Sequence, residues 1–387
     1  MKKICIVTAT RAEYGLLKPV IDKIYKSNTV QMQLVVTGMH LSPEFGLTYK
    51  EIEADNYPID RKIEMLLSSD TPTGVTKSMG VALMGFADYF ATRRPDIVIV
   101  LGDRYEMLVV AIAAMTAGIP IAHIHGGEKT EGAIDEAIRH SITKMSHLHF
   151  TATEEYRKRV IQLGEQPESV YNVGALGVEN AKKVPLLNRE ELERQIGFHF
   201  SRPTIMITYH PVTLETLTAQ GQFANILSVI DKHKEFSVIF TKANADTDGR
   251  GINQMIDRYV AKNSIRCAAY ASLGQRNYLS SLQYVDAVLG NSSSGLIEVP
   301  SFHIPTINIG DRQRGRVCAE SVIHCGNEIC DIENALQKAF SKEFRQNIKV
   351  MKNPYEKMDT SNRIVEIVYN AISNGIQLKK TFYDIEI

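Results

Sequence analysis

Short apolar runs recur along this chain, and each gives way to a burst of glycine, charged and imidazole side chains before a helical spacing begins. Residues 95–141 hold the plainest pair, at 97–101 and 119–124. Runs of this kind alternating strictly with helical segments argue for a doubly wound parallel sheet. In such a sheet ligands bind beyond the carboxyl ends of the strands. Asp103, Arg104, His125, Glu128 and, one loop on, Asp135 and Glu136 are therefore expected to converge on one cleft.

The alternation predicts strands at 3–8, 31–37, 59–66, 97–101, 119–124, 147–153 and 169–174, and then at 203–208, 236–241, 265–270, 285–289 and 304–309. Helical spacing covers 16–26, 44–55, 73–94, 105–118, 132–146 and 153–164 in the first half. In the second half it covers 213–235, 249–263, 275–283, 294–301, 328–341 and 358–376. The pattern loosens after Gly177, and 387 residues exceed what one hydrophobic core usually supports. The expected organisation is an N-terminal Rossmann-like domain over 1–176 with the acid–base cluster and a C-terminal Rossmann-like domain over 177–360. A helix and tail at 361–387 cross back to the first domain. Two similar α/β halves facing across a cleft would leave room for a ligand.

Charge and composition exclude several classes. The 44 Lys and Arg balance the 44 Asp and Glu, so there is no basic field to attract nucleic acid or an anionic membrane surface. No apolar run approaches the length of a membrane span, and the opening MKKICIVTATRAEYG enters a strand pattern without the apolar core of a signal peptide. The chain reads as cytoplasmic. Its five cysteines have irregular spacing and read as reduced structural thiols. The turn after the first run carries Thr10, Arg11 and Glu13 but no G-x-G-x-x-G, which counts against a nicotinamide cofactor. No cofactor is expected.

Other motifs carry chemistry of their own. In LGNSSSGLIE (289–298) three serines and a glycine follow a strand and open a helix, so hydroxyls and free N–H groups form a phosphate cradle; an ordinary serine cap is the plainer alternative. Glu298 suits a sugar or ribose hydroxyl, and GDRQRGR (310–316) offers Arg312, Arg314 and Arg316 to a diphosphate. His210 ends a strand just before Pro211, and Asn244 with two aspartates occupies the end of the next. His123 and His125, two apart on a strand, share a face, with no further ligand at a spacing that completes a metal site. Asp135 and Arg139 sit four apart on a helix start, where a surface ion pair is the plain alternative to a functional role.

Jointly, TRAEYG (10–15), GDRYEM (102–107), HIHGGE (123–128), GAIDEAIRH (132–140), YHPVT (209–213), GNSSSGLIE (290–298) and NIGDRQRGR (308–316) resemble the hydrolysing UDP-N-acetylglucosamine 2-epimerases, in order from residue 1 to about 370. The resemblance implies a glycosyltransferase-B type fold and a UDP-sugar substrate. It also implies assembly as a homo-oligomer, a dimer or tetramer. It assigns Arg11, Asn277, Ser292, Ser293, Glu298 and Arg312 to the uridine diphosphate, and Arg104, His210 and Asn244 to the substrate pocket. Asp103, Asp135 and Glu136 become the acid–base set. Several relatives carry Glu where His125 stands, so His125 or Glu128 takes that carboxylate's place. The implied reaction converts UDP-GlcNAc and water to ManNAc and UDP by anti elimination through a 2-acetamidoglycal, for sialic acid-type biosynthesis. A hydrolysing 2-epimerase of UDP-2,4-diacetamido-2,4,6-trideoxy-glucose, on the legionaminic acid route, and a glycosyltransferase on the same fold are the alternatives.

Overall fold

The computed structural model describes residues 1–67, 69, 71–130, 134–212, 218–243 and 249–385. The chain forms two compact units. The first comprises residues 1–128, 134–180 and 355–387, and the second 129–133 and 181–354.

The first unit is built on a seven-stranded sheet, all of it parallel. Its strands are β1 (Lys2–Thr8), β2 (Val30–Thr37), β3 (Ile59–Ile63), β4 (Ile97–Leu101), β5 (Ile121–Ile124), β6 (Leu148–Thr151) and β7 (Val170–Asn172), in spatial order β3-β2-β1-β4-β5-β6-β7. Helices cover both faces, which is why β1 reads as an unbroken apolar run. Ile4 and Ile6 pack with the helices Arg11–Tyr25 and Thr360–Asn374, while Cys5 and Val7 pack with Pro72–Arg93 and Tyr105–Thr116.

The second unit repeats the plan with six parallel strands: β8 (Thr204–Thr208), β9 (Ser237–Thr241), β10 (Cys267–Tyr270), β11 (Ala287–Gly290), β12 (Thr306–Ile309) and β13 (Val322–Cys325). Their order is β10-β9-β8-β11-β12-β13. Both sheets thus have the Rossmann arrangement, the chain stepping outward one way from its first strand and then the other way from its fourth. Crevices open where the direction reverses, at β1/β4 and at β8/β11.

Three differences from the sequence pattern have physical causes. The first helix starts at Arg11, not at 16, because Thr10 and Glu13 form a reciprocal capping box. Arg11 and Glu13 therefore lie in its first turn, and the expected turn placement is corrected. Strand β13 was not expected: it is a four-residue edge strand with an exposed His324, so it lacks an apolar signature. Two helices, Leu176–Lys183 and Arg189–Ile196, fill the stretch where periodicity loosens, the second held by its own Asn188–Glu191 capping box.

The C-terminal segment docks on the first unit. Glu179 accepts hydrogen bonds from the Ser361 N–H (2.8 Å) and hydroxyl (3.0 Å), holding the start of the helix Thr360–Asn374. Further on, the Tyr383 N–H donates to the Gly164 carbonyl (2.9 Å), and Lys380 donates to the Ser146 and Lys144 carbonyls. Lys380 also pairs with Glu165 at 2.6 Å, beside Lys144 at 2.6 Å and His149 at 3.0 Å. Burial pushes the Glu165 carboxyl up, but His149, Lys144 and Lys380 together outweigh it and hold it down at about 2. A carboxylate held below its unfolded value near 4.5 contributes stability that is present above 4.5 and is lost as the pH falls towards 2. Urea unfolding between pH 2 and 7 should show Glu165→Gln less stable than wild type at neutral pH, with the difference shrinking through that acid window.

Candidate active site

At the β1/β4 crevice of the first unit, three short turns bring charged groups together. The turn after β4 places Gly102 in the left-handed region (φ 82°), followed by Asp103 and by Arg104 as the cap of the helix Tyr105–Thr116. Arg104 reaches Glu106 through Nε and Nη2, both at 3.1 Å. Glu106 is fully buried, and Glu13 from the first helix approaches the same guanidinium at 4.0 Å. Arg11 instead pairs with Glu51 at 2.7 Å.

Strand β5 and the turn after it carry the two histidines. His123 is fully buried on the strand; its Nε2–H donates to the Gly102 carbonyl (2.8 Å), and Nδ1 lies 3.2 Å from the Thr143 hydroxyl. Burial pushes it down to about 3, so it is a neutral prop for the Asp103 turn. His125 does not share its face. Strand β5 ends at Ile124, and His125 takes a left-handed backbone (φ 68°), which costs a non-glycine residue conformational energy. Its Nδ1 lies 3.0 Å from the Glu128 carboxylate, and its Nε2 is buried without a hydrogen-bond partner among the described residues. Glycine is required between them: a Cβ on Gly127 (φ 78°) would lie 2.4 Å from the Tyr156 carbonyl oxygen.

The helix Asp135–Met145 supplies the third turn. Arg139 is fully buried and gathers the others. Its Nε and Nη2 bond the Asp103 carboxylate, and its Nη1 bonds both Glu136 (2.8 Å) and the Glu128 carbonyl (2.8 Å). Glu136 also meets His140 at 3.0 Å. Asp135 begins the same helix, one residue before Glu136. One buried cation thus holds Asp103, Glu136 and the His125–Glu128 turn around a common point.

At the β8/β11 crevice of the second unit the organiser is Asn291. Its side chain accepts from the His210 N–H (2.7 Å) and donates to the His210 carbonyl (2.8 Å), fixing the turn after β8 to the turn after β11. Only glycine fits before it: a Cβ at Gly290 (φ 137°) would lie 1.9 Å from the Thr208 carbonyl oxygen. The Asn291 carbonyl in turn accepts from Arg312 (3.2 Å) and Gln313 (2.8 Å). Ser292 and Ser293 follow Asn291, and their hydroxyls make no hydrogen bond among the described residues.

Ser294 bonds Tyr278, the residue after Asn277, at 2.6 Å. The helix that the serines open is shorter than its spacing suggested, Ser294–Ile297, so Glu298 stands at its C-terminal end and not one turn inside. Asn244 lies outside the described residues.

Sequence reasoning singled out Asp103, His125, Glu128, Asp135 and Glu136 but passed over the groups that hold them. Arg139 looked like half of a surface pair. Glu13 and Asn291 were legible, the first from the T-x-x-E capping pattern and the second from its place between a strand-end glycine and the serines. Glu106 left no signal, because its role depends on a neighbour two residues away folding back onto it.

Two parallel sheets of Rossmann order, one ending in clustered acids and the other in a serine–glycine turn, define an enzyme of glycosyltransferase-B type. Residues 22–369 match the UDP-N-acetylglucosamine 2-epimerase family, and the chain belongs to it. It is 44% identical, over 99% of both chains, to the GDP/UDP-N,N'-diacetylbacillosamine 2-epimerase (hydrolyzing) of Campylobacter jejuni. It is 43% identical to the polysialic acid biosynthesis protein P7 of Escherichia coli, over 100% of this chain and 98% of that one. In fold it matches the crystal structure of UDP-GlcNAc 2-epimerase from Neisseria meningitidis bound to UDP-GlcNAc, with a TM-score of 0.79 at 20% identity, covering 95% of this chain and 100% of that one.

Removing the arginine tests its structural part. Truncating one member of a buried ion pair typically costs about 3–5 kcal/mol. Asp103 and Glu136 keep some contact with solvent, which places Arg139→Leu near the low end, at about 3 kcal/mol. Denaturant unfolding would measure it.

Proposed function

We propose that the protein is a hydrolysing UDP-N-acetylglucosamine 2-epimerase, converting UDP-GlcNAc and water to ManNAc and UDP. The observation that carries this reading is the gathering of Asp103, Glu136 and the His125–Glu128 turn on one buried arginine at the strand ends of the first sheet. Epimerisation at C2 needs a base on one face of the sugar and a proton donor on the other, and a cluster of titratable groups can provide both.

In this reading the bond from C1 to the diphosphate breaks while a carboxylate takes the proton from C2, leaving a 2-acetamidoglycal and UDP. A protein acid then protonates C2 from the opposite face and water adds at C1, so the sugar leaves as the manno epimer. Asp103 and Asp135 are the essential pair, with Glu136 beside them. His125 or Glu128, which lie 3.0 Å apart, completes the set. Arg104, His210 and Asn244 are assigned to recognition of the sugar. The uridine diphosphate falls to Arg11, Asn277, Ser292, Ser293, Glu298 and Arg312. Donors fixed in advance around the departing diphosphate stabilise the charge that develops there, often the largest catalytic effect. Action in the cytoplasm and assembly as a dimer or tetramer complete the proposal.

A second substrate has specific support. The relatives from Campylobacter jejuni (44% identical) and Legionella pneumophila (35%) are both named as hydrolysing 2-epimerases of N,N'-diacetylbacillosamine nucleotides. Turnover of UDP-GlcNAc and of UDP-2,4-diacetamido-2,4,6-trideoxy-glucose, followed side by side by NMR without an acceptor, decides between them. Release of free sugar and UDP excludes a glycosyltransferase.

Turnover in D₂O should place deuterium at C2, and turnover in ¹⁸O-water should label C1 of the product. Retention of the original hydrogen at C2 would exclude elimination. Asp103→Asn should keep affinity for UDP and lose at least roughly 10²-fold in kcat, the usual contribution of a positioned proton-transfer group. An unchanged rate removes Asp103 from the chemistry.

A further inference from the structure

Two buried carboxylates in the first unit face one guanidinium, and the acid–base set above uses neither. Glu106 takes Arg104 in a two-point contact and is fully buried. Glu13, also buried, spends one oxygen on backbone: its Oε2 accepts from the Ala9 N–H (2.8 Å) and the Thr10 N–H (3.2 Å). Its Oε1 has no hydrogen-bond partner among the described residues and lies 4.0 Å from Arg104 Nε. Two negative charges against one positive charge, away from water, leave an uncompensated charge unless one carboxyl keeps its proton. The oxygen of Glu13 without a partner is the place for that proton.

We propose that Glu13 is a positioning residue for Arg104 and works in its protonated form. A neutral Glu13 leaves the guanidinium docked on Glu106 at the strand ends; an ionised Glu13 competes for it and adds a negative charge where an anionic nucleotide sugar must bind. This inference rests on Arg104 contacting the substrate of the proposed reaction.

The surroundings agree. Burial and the neighbouring Glu106 raise Glu13, against Arg104 and the two backbone N–H groups, and the balance stands at about 7. From the turn after β2, His40 is held neutral, pushed down to about 3 by burial, so it adds no charge near neutrality. On Glu13's own helix, Arg11 is engaged by Glu51 and Tyr14 donates to Asp55. The group that changes charge around pH 7 at this corner is then Glu13 itself.

The test is the pH profile of sugar-nucleotide turnover. Wild type should lose kcat/KM above about pH 7, approaching tenfold per pH unit and carried mainly by a rising KM. Glu13→Gln imitates the protonated acid, since its amide oxygen can still accept from Ala9 and Thr10. It should keep wild-type activity at pH 6 within a few-fold and lack the alkaline limb, whereas Glu13→Ala should not rescue. A folded Glu13→Gln that retains the limb, or is inactive at every pH, overturns the proposal.

Should that variant fail to fold, Glu106→Gln reads the same link. Removing the neighbouring negative charge must move the limb to lower pH, and a limb that stays in place is equally fatal. Absence of turnover with either sugar nucleotide would instead sink the proposed function. The proton on Glu13 would then be read by ¹³C NMR of labelled glutamate carboxyls. A resonance titrating near pH 7 and missing in Glu13→Gln supports it, and its absence in wild type refutes it.

Discussion

The reversal of strand order in each sheet is the constraint on which the rest depends. A chain that lays three strands outward and then returns to the other side of its first strand must leave a gap at the turn-around, because the connections on the two sides of that reversal cover opposite faces of the sheet. In the first unit the gap falls between β1 and β4, and in the second between β8 and β11. The turns flanking these gaps hold the capping box of Thr10 and Glu13, the Gly102–Glu106 turn, His210 and the Gly290–Ser294 turn. Backbone topology thus decides which polar residues meet, and the side chains decide what the meeting can do.

Each gap is then stiffened by one buried polar side chain with several partners. Arg139 does this in the first unit and Asn291 in the second, and the two solve different problems. Arg139 balances charge: without it, carboxylates converging at one point would repel. Asn291 balances hydrogen bonds, answering both backbone groups of His210 with one amide. A buried amide or guanidinium that satisfies every partner rigidifies its surroundings, since any displacement strands a polar group away from water. His123 works in the same way on a smaller scale, its neutral ring holding the carbonyl that precedes Asp103.

Strands such as β4 were legible because burial on both faces leaves only apolar residues, and such runs cannot be mistaken for a half-exposed helix. Strand β13 escaped because it lies at an edge with only Ile323 of its four residues buried. The early start of the first helix was hidden by the polar residues of its first turn, although the capping box is a local signal. In the acid cluster, residues at strand ends stood out by type and position. Their organisers did not, because the partners of Arg139 lie up to 36 residues away in sequence and come together only in the folded sheet. Relations of that kind are set by strand order, which no local pattern encodes.

The route of the chain has a consequence for how the molecule is made. The first unit is discontinuous: residues 181–354 form the second before the chain returns to the first at Tyr355. Ile364, Val365, Val368 and Ile372 belong to the same apolar cluster as Ile4 and Ile6 of β1. On the ribosome, the earliest strands emerge with one flank covered only in part, by the helix Arg11–Tyr25, and the helix that completes the cover is translated only after residues 181–354 of the second unit. Domains tend to fold in order of synthesis, but here the one begun first is sealed last.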